Sequence, residues 1–395
     1  MIVAIADDLS GAAEIAGIGR RFGLTAQVQR RFSPEDGIDV VVVDTDTRNA
    51  GQDVARATVG ALARELNDAG MLWCYKKVDS VMRGHVRVEL EVLMNMLGKP
   101  RTILAPANPS RGRTIIGGQY RINNRPLHET DFADDPQYPI MSSLVTDVLG
   151  VSRECAILAL RHSDYQGHEK GIVIAEARNR DDLSHWAARI DESTLAAGGA
   201  DFFSAILQER SDAKLARPAS ETTGGAGPRL FVCGSASEYS RRAVRRARSL
   251  GVPVCPMPDP LLGHIASSAP LIDHWAKDVL DALRAGGQAL AAIPQPVVQD
   301  AELARKLSGH MAVLVESVVG RTIVKELILE GGATAEAVLA RLGWTVLNVL
   351  GEYGPGVVRL CMPDRRNLLV TIKPGSYPWP AEIWSQPEGG ASYVT

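Results

Sequence analysis

Short β-branched runs alternate with stretches of helical period along this chain, and that alternation constrains its fold more than any other feature. Residues 2–6, 40–43, 72–75, 102–105 and 172–175 read as buried strands. Residues 12–22 and 52–66 between them space apolar side chains three and four apart. Strands separated by helices of this length form βαβ units and a mainly parallel sheet. The pattern restarts with strands expected at 230–233, 328–329, 347–349 and 368–372, and helices at 240–250, 274–284, 301–318 and 335–342. Residues 209–229 separate the two sets; they lack periodicity and are rich in Ser, Thr, Gly and Pro, as an exposed linker is. The expectation is an α/β protein of two domains, residues 1–215 and 229–395, joined by a linker at 216–228. Each domain is a mainly parallel sheet flanked by helices, with the active-site cleft between them. A length of 395 residues agrees, since single cores stop growing near roughly 250–300.

Charge excludes some partners. Lys and Arg number 43 against 46 Asp and Glu, a net charge of -3, so no basic stripe marks a nucleic-acid binder. Arg241, Arg242, Arg245 and Arg246 fit one solvated helix face. No apolar run approaches the ~18 residues of a membrane span. The opening apolar run meets Asp7 and Asp8, which excludes a signal peptide, and no membrane partner is expected. Five cysteines (Cys74, Cys155, Cys233, Cys255, Cys361) are scattered with no CxxC, so buried thiols are expected rather than disulfides or zinc, and with them a reducing, cytoplasmic setting.

Ligands of open α/β sheets bind beyond the carboxyl ends of the strands, and here those ends are polar. The first strand runs into Asp7-Asp8-Leu9-Ser10-Gly11 and the second into Asp44-Thr45-Asp46-Thr47-Arg48. The third runs into Lys76-Lys77-Val78-Asp79-Ser80 with Arg83 close behind, and the fourth into Ala105-Pro106-Ala107-Asn108-Pro109. A single such cluster is often only a helix cap; four on one edge point to a polyhydroxylated or carboxylated small molecule. Asp7 and Asp8 adjoin, so one can reach the crevice while the other braces the helix starting near Ser10. Arg83 offers a planar fork suited to a carboxylate, although an internal salt-bridge network explains Lys77, Asp79 and Arg83 equally well. Residues 108–139 are irregular, and GRTIIGGQY within them suggests a short hairpin. His85 and His128 form no metal box, and the metal ligands stay unassigned.

The second domain reads as a phosphate holder. Cys233-Gly234-Ser235-Ala236-Ser237, Glu330-Gly331-Gly332-Ala333-Thr334 and Lys373-Pro374-Gly375-Ser376 each follow a strand. Glycine permits close backbone approach, and helix N-termini attract phosphate. None is a Walker A loop or a GxGxxG fingerprint. Two aspartates after the first strand speak against a nicotinamide dehydrogenase, because they would repel pyrophosphate.

The ordered motifs IADDLSGAAE, VVVDTDTR, YKKVDSVMRG, APANPSRGRTIIGG, PLHET and DDP, followed by GSAS, EGGATAEAVL, LGEYGPGV and KPGSY, resemble the four-carbon acid sugar kinases over nearly the whole chain. The resemblance implies an N-terminal acid-sugar-binding domain and a C-terminal nucleotide-binding domain. It implies ATP-dependent phosphorylation of a tetronate hydroxyl (threonate, erythronate or a 3-oxo relative), with Mg2+ bridging phosphates. By motif, Asp7, Asp8, Ser10, Lys77, Asp79, Ser80 and Arg83 bind or activate the acid sugar, with Asp8 and Asp79 as catalytic carboxylates and Asp8 the first choice of base. Ser235, Ser237, Gly331, Gly332, Thr334 and Gly375 hold ATP. The family pattern has Thr at Ser10 and Val81, an acid at Ala333 and Ser at Pro374, so an acid-sugar binder with weakened or lost kinase activity is the alternative. A homo-oligomer is the default assembly.

Overall fold

Val3 to Ala6 and Val40 to Val42 have no solvent exposure, as strands of a sheet covered on both faces require. The computed structural model describes residues 1–71, 73–135, 137–210, 227–234, 237–263, 268–294, 300–365, 367–375 and 377–384. The chain divides into two units, Met1–Ala219 and Ser220–Thr395. Residues 216–226 of the expected linker lie outside the described residues, as does Leu72 of the third expected strand.

The first unit runs β1 (Ile2–Ala6), α1 (Leu9–Arg21), β2 (Ala26–Gln29), β3 (Val40–Asp44), α2 (Gln52–Asp68), β4 (Cys74–Lys77), α3 (Val86–Met96) and β5 (Arg101–Ala105). It continues with β6 (Arg113–Ile116), β7 (Gln119–Ile122), β8 (Arg125–Pro126), α4 (Val145–Leu149), β9 (Ile157–Leu160), β10 (Gly171–Ala175), α5 (Arg180–Ala187), β11 (Thr194–Gly198) and α6 (Ala200–Arg210). Its strands pair in parallel in the order β2-β3-β1-β4-β11-β5-β10-β9. The close backbone approach of β11 to β5 requires Gly198, where a Cβ would lie 2.3 Å from the Ala105 carbonyl oxygen. The irregular stretch forms a separate antiparallel sheet, β6-β7-β8, slightly more than the expected hairpin.

The second unit runs β12 (Arg229–Cys233), α7 (Glu238–Ser249), β13 (Val254–Pro256), α8 (Ala269–Gly286), β14 (Gln288–Ala292), α9 (Ala301–Arg321), β15 (Glu326–Glu330), α10 (Gly332–Arg341), β16 (Val346–Gly354), β17 (Val357–Cys361) and β18 (Leu369–Lys373). The order β13-β14-β12-β15-β18 is parallel, and β17 and β16 add an antiparallel hairpin beside β18. The mainly parallel, helix-flanked α/β fold is as expected. No described helix is long and apolar enough to cross a membrane, and no described cysteine forms a disulfide. The α7 arginines are solvated, with Arg241, Arg242 and Arg245 all pairing Glu238.

The third strand departs from its expected bounds and extends through Lys76 and Lys77. Charge appeared to end it, yet both lysines are buried and neutralised from helices. Lys76 Nζ is 2.7 Å from Glu89 of α3, and Lys77 Nζ is 3.6 Å from Glu14 of α1. Thr47 also donates to Glu89 at 2.5 Å. Removing one partner of a buried pair strands the other charge, at about 3–5 kcal/mol. Glu89→Gln is therefore expected to lower stability by about that much in urea denaturation, whereas Lys76→Met with Glu89→Leu recovers most of the loss.

Candidate active site

In the first unit β1 lies between β3 and β4, and the chain visits β2 and β3 on one side before crossing to β4 on the other. Such a reversal opens a crevice beyond the carboxyl ends of the strands. The residues there converge on Arg48, which the loop after β3 delivers. Its Nε and Nη2 donate to Asp7 at 2.9 and 2.8 Å, its Nη2 also donates to Asp8 at 2.7 Å, and Nη1 is 3.8 Å from Asp79. Asp8 additionally caps α1, accepting from the Gly11 N–H at 2.9 Å and from the Ser10 hydroxyl at 2.5 Å. Gly11 leaves room for these side chains, since a Cβ would stand 2.7 Å from Asp8 Oδ1 and 3.3 Å from Lys77 Nζ. Burial alone would raise the Asp7 carboxyl, but Arg48, with Lys76 and Lys77 behind it, holds it below the usual range.

Asp79 carries a second arginine. Arg83 Nε and Nη2 grip its two oxygens at 3.0 and 2.8 Å, and the backbone N–H groups of Val81 and Arg83 donate to Oδ2. Burial opposes ionisation, yet Arg83 and Arg48 drive this carboxyl far below its ordinary value. Arg83 Nη1 donates to Asp135 at 2.9 Å, and its guanidinium carbon lies 5.2 Å from the Phe132 ring centre. The fork expected to meet a substrate carboxylate is thus engaged within the protein. Ser80 lies under the small sheet, its hydroxyl accepting from Arg113 of β6 and its carbonyl from the Tyr120 hydroxyl of β7. The Tyr138 hydroxyl donates to the Arg48 carbonyl. His85 bonds the Ala50 carbonyl and meets the Tyr138 ring edge-on, and His128 bonds Ser143.

The second unit repeats the layout, with β12 between β14 and β15. Ser237 caps α7 through the Ser240 N–H and donates to the Gly375 carbonyl at 2.8 Å, joining the ends of β12 and β18. The Gly331 N–H donates to the Lys373 carbonyl at 2.9 Å, tying in the end of β15. Gly331 adopts φ +94°, a conformation that favours glycine, and caps α10 without a side chain. The N–H groups of Gly332, Ala333 and Thr334 therefore point from a helix start with no side-chain cap, which is an anion-binding arrangement. Thr334 seals the turn against Gly234, where a Cβ would be 1.9 Å from Thr334 Oγ1. The structure brings together Ser237, Gly331, Gly332, Thr334 and Gly375; Ser235 lies outside the described residues.

Residues 2–206 match the family model described as "Sugar-binding N-terminal domain", and residues 230–377 match "Nucleotide-binding C-terminal domain". The chain belongs to the four-carbon acid sugar kinase family. It is 26% identical to a D-threonate kinase of Salmonella typhimurium over 92% of this chain and 90% of that one. It is 29% identical to a D-threonate kinase of Cupriavidus necator (96% and 95%), and 26% identical to a 3-oxo-tetronate kinase of Methylobacterium radiotolerans (94% and 95%). A solved Haemophilus influenzae protein shares the fold with TM-score 0.71 at 18% identity, covering 96% of this chain and 97% of its own.

Within this family member, several site residues escape a reading of sequence. Arg48 stands in one of the polar clusters, but its hub role needs three strand ends in register. Arg113, Phe132, Asp135 and Tyr138 come from the irregular stretch, where no periodicity says which way a side chain faces. Asp44 is the least expected. Burial, then the neighbouring charges of Asp8 and Asp46, push its carboxyl up to about 8, with Arg30 opposing. Its Oδ1 accepts the Asp46 N–H at 3.1 Å, while Oδ2 is buried without a hydrogen-bond partner. The folded protein therefore holds a proton that the unfolded chain, ionising at 3.8, releases. The associated stability is complete below that value and is lost as pH rises toward about 8. Between pH 5 and 8, wild type should lose urea-denaturation stability relative to Asp44→Asn, with the difference levelling off above pH 8.

Proposed function

We propose that the protein transfers a phosphoryl group from ATP to a hydroxyl of a four-carbon acid sugar: threonate, erythronate or 3-oxo-tetronate. The observation that carries this reading is the Asp7–Asp8–Arg48–Asp79 network at the strand ends of the residues matched to the sugar-binding domain. Names of relatives support the same chemistry. Polyols are recognised by arrays of fixed charged acceptors and donors, which this network supplies. In the second unit Gly331, Gly332 and Thr334, with Ser237 and Gly375, would hold the nucleotide phosphates on backbone N–H groups and the α10 dipole. When bound, ATP supplies the phosphoryl group and Mg2+ neutralises its charge. Among the described residues no three His, Cys, Asp or Glu side chains form a metal cage. Mg2+ would be held largely through the nucleotide phosphates and one or two carboxylates.

Phosphoryl transfer asks the protein to position the hydroxyl and accept its proton. Asp8 fits the base better than Asp79. Its side chain is 16% exposed against 6%, and Asp79 is clamped by Arg83 at a proton affinity too low for useful base catalysis. Asp7, bidentate to Arg48, braces the hub, and Ser10 orients Asp8.

One observation favours the second reading, an acid-sugar binder with weakened transfer. Ala333 stands where the family carries an acid, and Glu330 does not replace it. Glu330 is buried, accepts from Trp379 Nε1 at 2.8 Å and lies 3.4 Å from Lys373 Nζ.

A coupled ADP-release assay over the three tetronates separates the readings: turnover on any of them supports the kinase, and binding without turnover supports the binder. Asp8→Asn should lower kcat about 10²- to 10⁴-fold, the usual weight of a general base, with acid-sugar binding changed far less. Gly332→Val should weaken ATP binding much more than acid-sugar binding in calorimetry, because a side chain there obstructs the α10 N–H groups. Unchanged ATP affinity would move the nucleotide elsewhere.

A further inference from the structure

Four cations of the first unit's site are matched to carboxylates. Arg48 has Asp7 and Asp8, Arg83 has Asp79 and Asp135, Lys76 has Glu89 and Lys77 has Glu14. Arg113 is not so matched. It opens β6, is 8% exposed, and has no carboxylate within ion-pair distance among the described residues. Its Nη1 donates to the Ser80 hydroxyl, and its guanidinium carbon lies 5.8 Å from the centre of the Phe132 ring. Arg83 lies 5.2 Å from that same ring centre, so Phe132 packs with both guanidiniums.

We propose that Arg113, and not Arg83, takes the carboxylate of the acid sugar. The assignment rests on the acid-sugar reading above and names the group that makes the site select an acid over a neutral polyol. A guanidinium has five N–H donors, and among the described residues only Ser80 accepts from this side chain. A desolvated cation without a counter-ion is costly, and an incoming carboxylate removes that cost. The planar fork binds a carboxylate through two parallel hydrogen bonds, which a lysine cannot reproduce. Arg83 is poorly placed for the task, since a substrate carboxylate would have to displace Asp79 or Asp135. The Ser80 hydroxyl accepts from Arg113, leaving its own proton for a substrate oxygen. The neighbouring carboxylates of Asp7, Asp8 and Asp79 disfavour a polyphosphate here, which leaves a singly charged, hydroxylated acid as the fitting anion.

The test is calorimetric binding of threonate, erythronate and the neutral tetritols threitol and erythritol, with ATP as a separate titrant. Wild type, Arg113→Gln and Arg113→Lys are compared. Arg113→Gln should weaken the best tetronate about 10- to 100-fold, the weight of charge-assisted hydrogen bonds, while tetritol and ATP binding stay near wild type. Arg113→Lys should recover only part of the loss, and it keeps the charge should the glutamine variant fold poorly. Wild-type tetronate affinity in either folded variant overturns the proposal. So does a loss confined to ATP, or an equal loss for tetronate and tetritol. If wild type binds no tetronate at all, the acid-sugar reading falls and the assignment falls with it.

Discussion

Arg48 makes the first unit's site possible. Like charges about 4 Å apart repel by about 4 kcal/mol at an effective dielectric near 20, so aspartates cannot gather at a sheet edge unaided. One guanidinium bridges Asp7 and Asp8 and reaches toward Asp79, and Arg83 completes the neutralisation from the other side. The consequence is visible at Asp44. It shares the edge, but burial and the charges of Asp8 and Asp46 outweigh the pull of Arg30, and its carboxyl retains its proton to about 8. Ionised and neutral carboxyls coexist within one cluster because arginines outweigh burial at Asp7 and Asp79 and do not at Asp44.

The two units solve different binding problems on the same topology. Each places its first strand between strands the chain visits at different times, and each therefore has a crevice at the same end of its sheet. The first fills that edge with charged side chains, suited to hydroxyls and a carboxylate. The second keeps side chains away: Gly331 at positive φ and the contact of Gly234 with Thr334 leave backbone N–H groups facing outward. Large, multiply charged phosphates suit such a backbone cradle, and small polyols suit discrete side chains.

Much of the fold was legible because periodicity reports burial. The runs at 2–6, 40–43 and 230–233 appear as β1, β3 and β12 to within a residue at either end. Legibility failed where burial and polarity part company. Lys76 and Lys77 belong to β4 because Glu89 and Glu14 reach them from helices distant in sequence. Strands such as β2, with glutamines at Gln27 and Gln29, or β14, with alanines, lack the β-branched signature and went unread.

The sequence by itself determined the α/β class, the two sets of elements, the polar strand ends and the glycine turns, because each is a local matter of side-chain type and spacing. Ser10, Asp79 and Gly331 could be marked from their neighbours alone. Which charges meet was decided only by tertiary structure. Arg83 turning inward to Asp135, Arg48 gathering Asp7 and Asp8, and Arg113 arriving over Ser80 all depend on segments tens of residues apart. Electrostatic energy depends on distance and burial, and neither is encoded in the identity of a residue's sequence neighbours.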